Sequence, residues 1–288
     1  MNNLVKYKRN KRVDLFKNSI IQIFLITWAT IEFYPLFWLF YTSFKTTPDI
    51  KSNIFAFPKY LYLGNFDFES FNYLGVTLAT YYKNSIIITI ASLLILLIIS
   101  LLAGYSIAKF KFPGKNILII ILIGLLGIPV HSLIIPLYYF IGELGLIGRY
   151  FGLIFPYVAI NSPFAILMLQ AYFRSFPNEL IEAARIDGCS EGRIFISVVI
   201  PPSLGAISTV LIVNFIWIWN ELLFSLVIMR NNASKTLPVG ILGFRGQYNV
   251  DWGPMFAALF LSVIPPLLIY FVFHRNIIKG ITAGAIKG

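Results

Sequence analysis

Apolar residues fall along the chain in six long blocks, roughly 20–44, 84–107, 116–141, 150–172, 202–229 and 254–273. Each is near or above the roughly 20 residues a helix needs to cross a bilayer. None shows the alternation of a half-buried strand. The pattern predicts six membrane-spanning helices joined by polar connections, two of them long, at 45–83 and 230–253. One connection behaves differently. Between 177 and 201 the apolar positions become sparse and take a helical period. Pro177 suits a first helical turn and Glu179 its positive end. Leu180, Ala183 and Ala184 then share a face at i, i+3, i+4. Gly188 stops that helix, being free to take positive φ. Ser190 is placed to cap a second helix, whose Ile194, Phe195 and Val198 form another apolar face. Pro201 and Pro202 open the fifth span.

Composition agrees with a membrane protein. Of 288 residues 58% are hydrophobic and only 12% charged, against about 25% charged in soluble domains. The first apolar run follows a basic stretch, but it is too long for a signal-peptide core and no small-residue cleavage site follows it, so it reads as an uncleaved span. With one cysteine the chain has no internal disulfide, and two distant histidines, His131 and His274, make no metal cluster. Neither GxxxxGK[ST] nor HExxH occurs, which excludes P-loop ATP binding and this zinc-protease signature.

The net charge of +11 is topological rather than a nucleic-acid footprint. Fifteen of the 23 Lys and Arg residues lie in the N-terminal segment, the second and fourth connections and the C-terminal tail. Six spans place these on one side, and the positive-inside rule makes that side cytoplasmic. The 177–201 segment is then cytoplasmic too. Its acidic Glu182, Asp187 and Glu191 offset Arg185 and Arg193, unlike the Lys/Arg-rich face of a lipid-bound helix. Small alanines permit close approach by another protein, and Glu182 offers a charge to pair.

The spacing Glu182-Ala183-Ala184, three residues, Gly188, nine residues, Val198, one residue, Ile200-Pro201 resembles the EAA motif of permease subunits in binding-protein-dependent ABC importers. "YTSFKT", "NSIIIT", "LAGYSIAKFKFPGK", "IPLYY", "WNELLF" and "GITAGAIKG" occur in order along nearly the whole chain, and are similar to the carbohydrate-uptake branch, in particular the smaller permease of the maltose transporter. The second proline, Pro202, departs from the pattern and leaves the start of span five open. The resemblance implies an all-α, six-span type I importer permease, one transmembrane domain over 1–288, in a bacterial cytoplasmic membrane with both termini inside. It implies that Glu182, Ala183, Ala184, Asp187, Gly188 and Pro201 belong to a coupling segment that docks on an ATPase. Implied partners are a second, similar permease, two ATP-binding subunits that hold ATP and Mg, an extracytoplasmic solute-binding protein and membrane lipid. No cofactor is implied in this chain.

Polar residues inside the spans need a reason, since a central charge costs about 2.5–3.5 kcal/mol on insertion scales. Asn214, Trp217 and Glu221 fall at i, i+3, i+7 in span five beside Asn220, and are read either as a pathway lining or subunit contact, or as a Glu221 hydrated near the outer interface. Glu32 in span one, with Tyr34 and Pro35, has the same two readings. Pro129, His131 and Pro136 lie near the middle of span three, where a broken helix can line a cavity. His131 is also readable as a packing residue. In the outer loop Gly243, Phe244, Gly246 and Tyr248 suit contact with a sugar-binding protein, or form an ordinary exposed turn. A stand-alone secondary transporter would leave the 177–201 segment unexplained, and a membrane enzyme would need a cluster of ionisable groups that Glu32, His131 and Glu221 do not supply.

Overall fold

In the computed structural model, residues 11–67, 72–73, 76–245 and 250–285 are described. Helices dominate: α1 (Lys11–Thr42), α2 (Thr47–Ser52), α3 (Leu78–Lys109), α4 (Lys115–Leu126), α5 (Ile134–Glu143), α6 (Phe151–Ser175), α7 (Asn178–Ile186), α8 (Glu191–Ile194), α9 (Leu204–Asn220), α10 (Leu223–Ile228), α11 (Leu237–Leu242) and α12 (Trp252–Ala285). A two-residue antiparallel pair, β1 (Asn72–Tyr73) with β2 (Val76–Thr77), precedes α3. Five described helices are long and apolar enough to cross a membrane, and α4 with the segment to Glu143 makes a sixth if that bent pair is one span.

Two of the expected spans are broken. The third bends by 96° between Leu126 and Val130. Pro129 supplies the reason: it has no N–H for the ladder and drives Ile128 away from helical backbone. Pro136 sits in the first turn of α5, where a missing N–H is tolerated, and causes no break. The fifth span does not run unbroken from 202 to 229. It starts as a 3₁₀ turn, Pro201–Ser203, continues as α9, stops at Asn220 and resumes as the short α10.

The contacts divide the chain into two compact units. One comprises α1, α2, the loop to Phe66 and residues 251–260; the other comprises residues 67–250 and the rest of α12. In the smaller unit Asn65 Nδ2 donates to the carbonyls of Ser43 and Lys45 (2.9 and 2.8 Å). Thr47 Oγ1 donates to Asp251 (2.7 Å) and accepts from the Gly253 N–H (3.0 Å). Gly253 must lack a side chain, because a Cβ would stand 2.6 Å from Asn65 Oδ1.

In the larger unit α3 and α6 are the main packed pair. The buried face of α3 carries Ile88, Ser92, Leu96, Ser100 and Gly104, while Ile90, Leu94, Ile98 and Leu102 face outward. Ser92, Ser100 and Gly104 on the inner face let membrane helices approach closely, while large aliphatics also face outward toward lipid. At Gly104 a Cβ would meet Leu169 Cβ at 3.1 Å and the Gln170 nitrogen at 3.2 Å. Tyr157, Leu169 and Phe173 of α6, Val210 of α9 and Phe224 of α10 complete the core.

Candidate functional site

The charged connection folds as a helical turn clamped to the bundle. Lys109 Nζ, at the end of α3, donates to the Phe176 carbonyl and to Asn178 Oδ1, both at 2.7 Å, fixing where α7 begins. Glu179 lies in its first turn. Ile181 is buried and Ala184 half-buried, and with Cys189 and Ile194 they pack into the core of the larger unit. Gly188 takes φ +80°. Its N–H donates to the Arg185 carbonyl (3.1 Å) and the Cys189 N–H to that of Ala184 (3.0 Å). This is a Schellman ending, and a glycine carries its left-handed residue without a Cβ penalty.

Three expectations about this segment change. The Ser190 side chain makes no capping bond; its carbonyl instead accepts from Ile194 (2.9 Å). Leu180 is 51% exposed, so Ile181 rather than Leu180 joins Ala184 on the inner face, and Ala183 stays outside. The second helix also has no separate end. After α8 the chain widens into a π turn, Phe195–Val199, and passes through the prolines into α9. Pro201 and Pro202 cannot donate to the carbonyls one turn back, so the ladder shifts; Ile200 N–H reaches Phe195 and the Ser203 hydroxyl closes on Val199 (2.5 Å).

What this turn leaves open is specific. Glu182, Ala183, Asp187 and Gly188 are exposed, as are Leu180 and Ile186, the last at 86%. Glu182 has no hydrogen-bond or ion-pair partner among the described residues. Among the described residues nothing lies within 4 Å of the position a Gly188 Cβ would take.

A second cluster forms where span five breaks. Glu221 is only 7% exposed. Its Oε1 accepts from the Phe224 N–H (2.9 Å), and its Oε2 from the Ser225 N–H (3.3 Å) and the Tyr157 hydroxyl (2.6 Å). The carboxylate thus caps α10, and an interior carboxylate is tolerated because its lone pairs are used. The Trp217 ring stands edge-on to Tyr157 at 5.7 Å. Beside them an open cavity of about 390 Å³ is lined by His131, Ile216, Trp217, Asn220, Glu221, Leu222 and Leu223. The breaks in spans three and five therefore meet at one place. Asn214 is not there: it is buried, and its amide donates to Val210 of its own helix (2.7 Å). Glu221 is bonded within the protein rather than simply hydrated.

The loop after α10 is built on α3. Asn84 donates to the carbonyls of Ala233 and Lys235, both 2.8 Å, and accepts from the Tyr150 hydroxyl (2.6 Å). Ser85 Oγ accepts from Leu237 (2.7 Å) and Ser225 Oγ from Thr236 (3.1 Å). Where a plain loop was expected, Leu237–Leu242 is helical, with Gly240 against the Tyr81 ring. Gly243 ends α11 and the Phe244 N–H bonds Ile241; Arg245 pairs with Val250. Gly246 and Tyr248 lie outside the described residues. Sequence reasoning missed Tyr157, Lys109, Asn84 and Ser85 as positioning residues. Only the last two left a signal, a polar pair opening an apolar run.

Residues 97–283 match the family described as binding-protein-dependent transport system inner membrane component. The ORF2 product of Caldicellulosiruptor sp. (strain Rt8B.4) is 39% identical over 92% of this chain and 96% of its own. The trehalose/maltose transport system permease protein MalG of Thermococcus litoralis is 33% identical, covering 96% of this chain and 99% of that one. The diacetylchitobiose uptake system permease protein NgcG of Streptomyces coelicolor is 31% identical, over 93% and 89%. A chain in the crystal structure of a bacterial ABC transporter involved in the import of the acidic polysaccharide alginate superposes with a TM-score of 0.77, at 22% identity, over 94% of this chain and 99% of that chain. At that identity the likeness shows the fold.

Proposed function

The chain belongs to the binding-protein-dependent transport system inner membrane components, and on that premise we propose how this multi-pass permease subunit of an ABC importer works and what it carries. Its solute is a sugar or oligosaccharide. Two relatives at 31% and 33% identity are named for disaccharide uptake, which supports this class. A second, similar permease completes the pathway, an extracytoplasmic binding protein delivers the solute, and two ATP-binding subunits hold ATP and Mg²⁺ and hydrolyse the nucleotide. This chain holds no cofactor. We place both termini and the α7–α8 turn in the cytoplasm of a bacterium, and loops 45–83 and 231–253 outside. The asymmetry of the basic residues supports that orientation.

The observation that carries the mechanism is the turn at Gly188, finished on its inner side and unfinished on its outer side. Ile181, Ala184 and Cys189 fasten it to the core. Glu182, Leu180 and Ile186 wait uncovered. An ATPase cleft with a basic group for Glu182 completes them. The turn is continuous through the π and 3₁₀ turns with α9. At 1.5 Å per residue the 17 residues of α9 make a lever of about 25 Å. Its far end is the Glu221 break, where His131, Trp217 and Asn220 line the cavity. Closure of the ATPases moves the turn, α9 carries the displacement, and the cavity wall shifts between inward and outward access. The capped carboxylate keeps the break in α9–α10 in one geometry while the lever moves. Gly243 and Phe244, beyond α11, face the binding protein.

The test is reconstitution of the whole complex in liposomes with its binding protein. Binding protein loaded with a disaccharide or oligosaccharide should stimulate ATP hydrolysis and uptake. Uptake by this chain without ATPase subunits would favour a secondary transporter instead.

A further inference from the structure

Irregular backbone laid beside a membrane-spanning helix must bring its own hydrogen bonds, because the surrounding lipid offers none. Residues 53–63 meet that demand at their first four carbonyls. They belong to the smaller unit and follow α1 and α2 on the face of the membrane where α1 ends, at Thr42. The chain here folds back along α1 instead of leaving it. The Tyr62 N–H donates to the Phe44 carbonyl (3.0 Å) and the Tyr41 hydroxyl to the Phe55 carbonyl (3.1 Å). The Phe55 ring lies 6.1 Å from Trp38, and the Phe57 ring 4.7 Å from Tyr41 and 6.3 Å from Phe37. Phe37 is five residues inside the helix end, so at 1.5 Å per residue Phe57 touches α1 about 7 Å below that end.

The carbonyls at the start of the fold-back are closed off from within. Lys45 Nζ donates to the carbonyls of Asn53 (2.6 Å), Ile54 (3.3 Å) and Ala56 (2.9 Å). With the Tyr41 bond, four consecutive carbonyls are taken. Asn53 Oδ1 accepts from the N–H groups of Phe55 and Ala56 (3.0 and 3.2 Å). Lys45 is itself buried; burial lowers its pKa, with Asp49 pulling the other way. Outward, the same residues present Phe55, Phe57, Tyr60, Leu61 and Leu63, all more than half exposed, with Lys59 among them. A loop bathed in water has no use for a buried lysine satisfying three carbonyls, and is poorly served by five exposed large apolar side chains.

We propose that residues 53–63 form a phospholipid anchor, seated in the interfacial layer of the leaflet where α1 ends. Tyr60 lies at headgroup level, as interfacial aromatics do. Phe55, Phe57, Leu61 and Leu63 enter the acyl region. Lys59 reaches back to the phosphates along its own methylenes. The anchor fixes the depth of α1, and Lys45 is the residue that holds its shape. This goes beyond the transport reading and depends only on α1 crossing the membrane, not on which side Thr42 faces or what is carried.

The experiment is spin labelling of Leu61→Cys, in a Cys189→Ser background, in the complete complex reconstituted into phospholipid vesicles. Collision rates are measured with oxygen, which concentrates in lipid, and with a neutral nickel chelate, which stays in water. A label at Ala233→Cys, an exposed position, is the aqueous-region control. The anchor predicts that oxygen accessibility at 61 exceeds nickel accessibility several-fold. A label more accessible to nickel puts the loop in water and overturns the proposal. A label shielded from both puts it under a protein partner and overturns it equally. Adding Lys45→Met should lower the oxygen-to-nickel ratio at 61 at least twofold while α1 stays inserted. An unchanged ratio would remove Lys45 from the account.

Discussion

Arg185 and Glu191 close the turn at Gly188 from opposite sides: Arg185 Nη2 and Nε meet Glu191 Oε1 at 2.6 and 2.7 Å. The pair joins the last turn of α7 to the first residue of α8. Both side chains are about half exposed, so the bond is an outer strap, contributing about 0.2–1 kcal/mol. The backbone bonds to Ala184 and Arg185 define the turn without it. Glu191→Ala should therefore leave complex assembly intact and reduce uptake less than twofold. An uptake assay on the variant complex checks this, and a loss above tenfold would mean that Glu191 contacts the ATPase itself.

Glu221 and Tyr157 should behave as one unit. Tyr157→Phe removes a donor from a buried carboxylate, and Glu221→Ala orphans both a buried hydroxyl and the start of α10. Each should destabilise by about 1–3 kcal/mol, read as a lower Tm of the purified complex. The double variant should fall short of the sum. Additive losses would show that the two groups do not share their energy.

The loop after α10 should loosen in Asn84→Ala. Three hydrogen bonds vanish together, leaving the carbonyls of Ala233 and Lys235 without that donor. Amide exchange across 231–243 should accelerate, and stimulation of ATP hydrolysis by loaded binding protein should drop several-fold, with subunit stoichiometry unchanged. Unaltered exchange would mean that Ser85 and Ser225 hold the loop alone.

Orientation is open to a direct check. In a Cys189→Ser background, an impermeant thiol reagent added outside intact cells should label a cysteine at Ala233 and miss one at Ile186. Labelling of 186 from outside would invert the topology.

The apolar blocks that make the spans and the Gly188 turn were legible in the sequence, because each rests on local physics: block length, and a residue that tolerates φ +80°. The breaks were only half legible. Pro129 announced its own, but nothing between Asn220 and Leu223 lacks an N–H, and the Glu221 carboxylate at that break is held by Tyr157, 64 residues away. Asn214 and Glu221, seven apart, were read as sharing one face; both are buried, Asn214 bonded to Val210 of its own helix and Glu221 to Tyr157. Ser190 looked like a cap because of its residue type, yet its hydroxyl makes no capping bond to the helix it precedes. The Lys109 clamp has no sequence signature, since its partners are 67 and 69 residues away.

The central claim is that the exposed face of α7 and its turn couple this permease to the ATPases. Gly188→Val places a β-branched residue at positive φ, a strain of about 1–2 kcal/mol. Among the described residues the added Cβ meets nothing, so a larger effect points to the partner. Glu182→Ala breaks no bond inside the described chain. Losing one member of a desolvated interface pair costs about 2–5 kcal/mol, or at least thirtyfold in affinity. The direct measurement is the Kd of the ATPase subunits for detergent-solubilised permease pairs carrying each variant, beside Glu191→Ala. The account predicts affinity weakened about thirtyfold or more by Glu182→Ala, at least tenfold by Gly188→Val, and less than twofold by Glu191→Ala, with normal membrane insertion throughout. Wild-type affinity and uptake in both Glu182→Ala and Gly188→Val would contradict it.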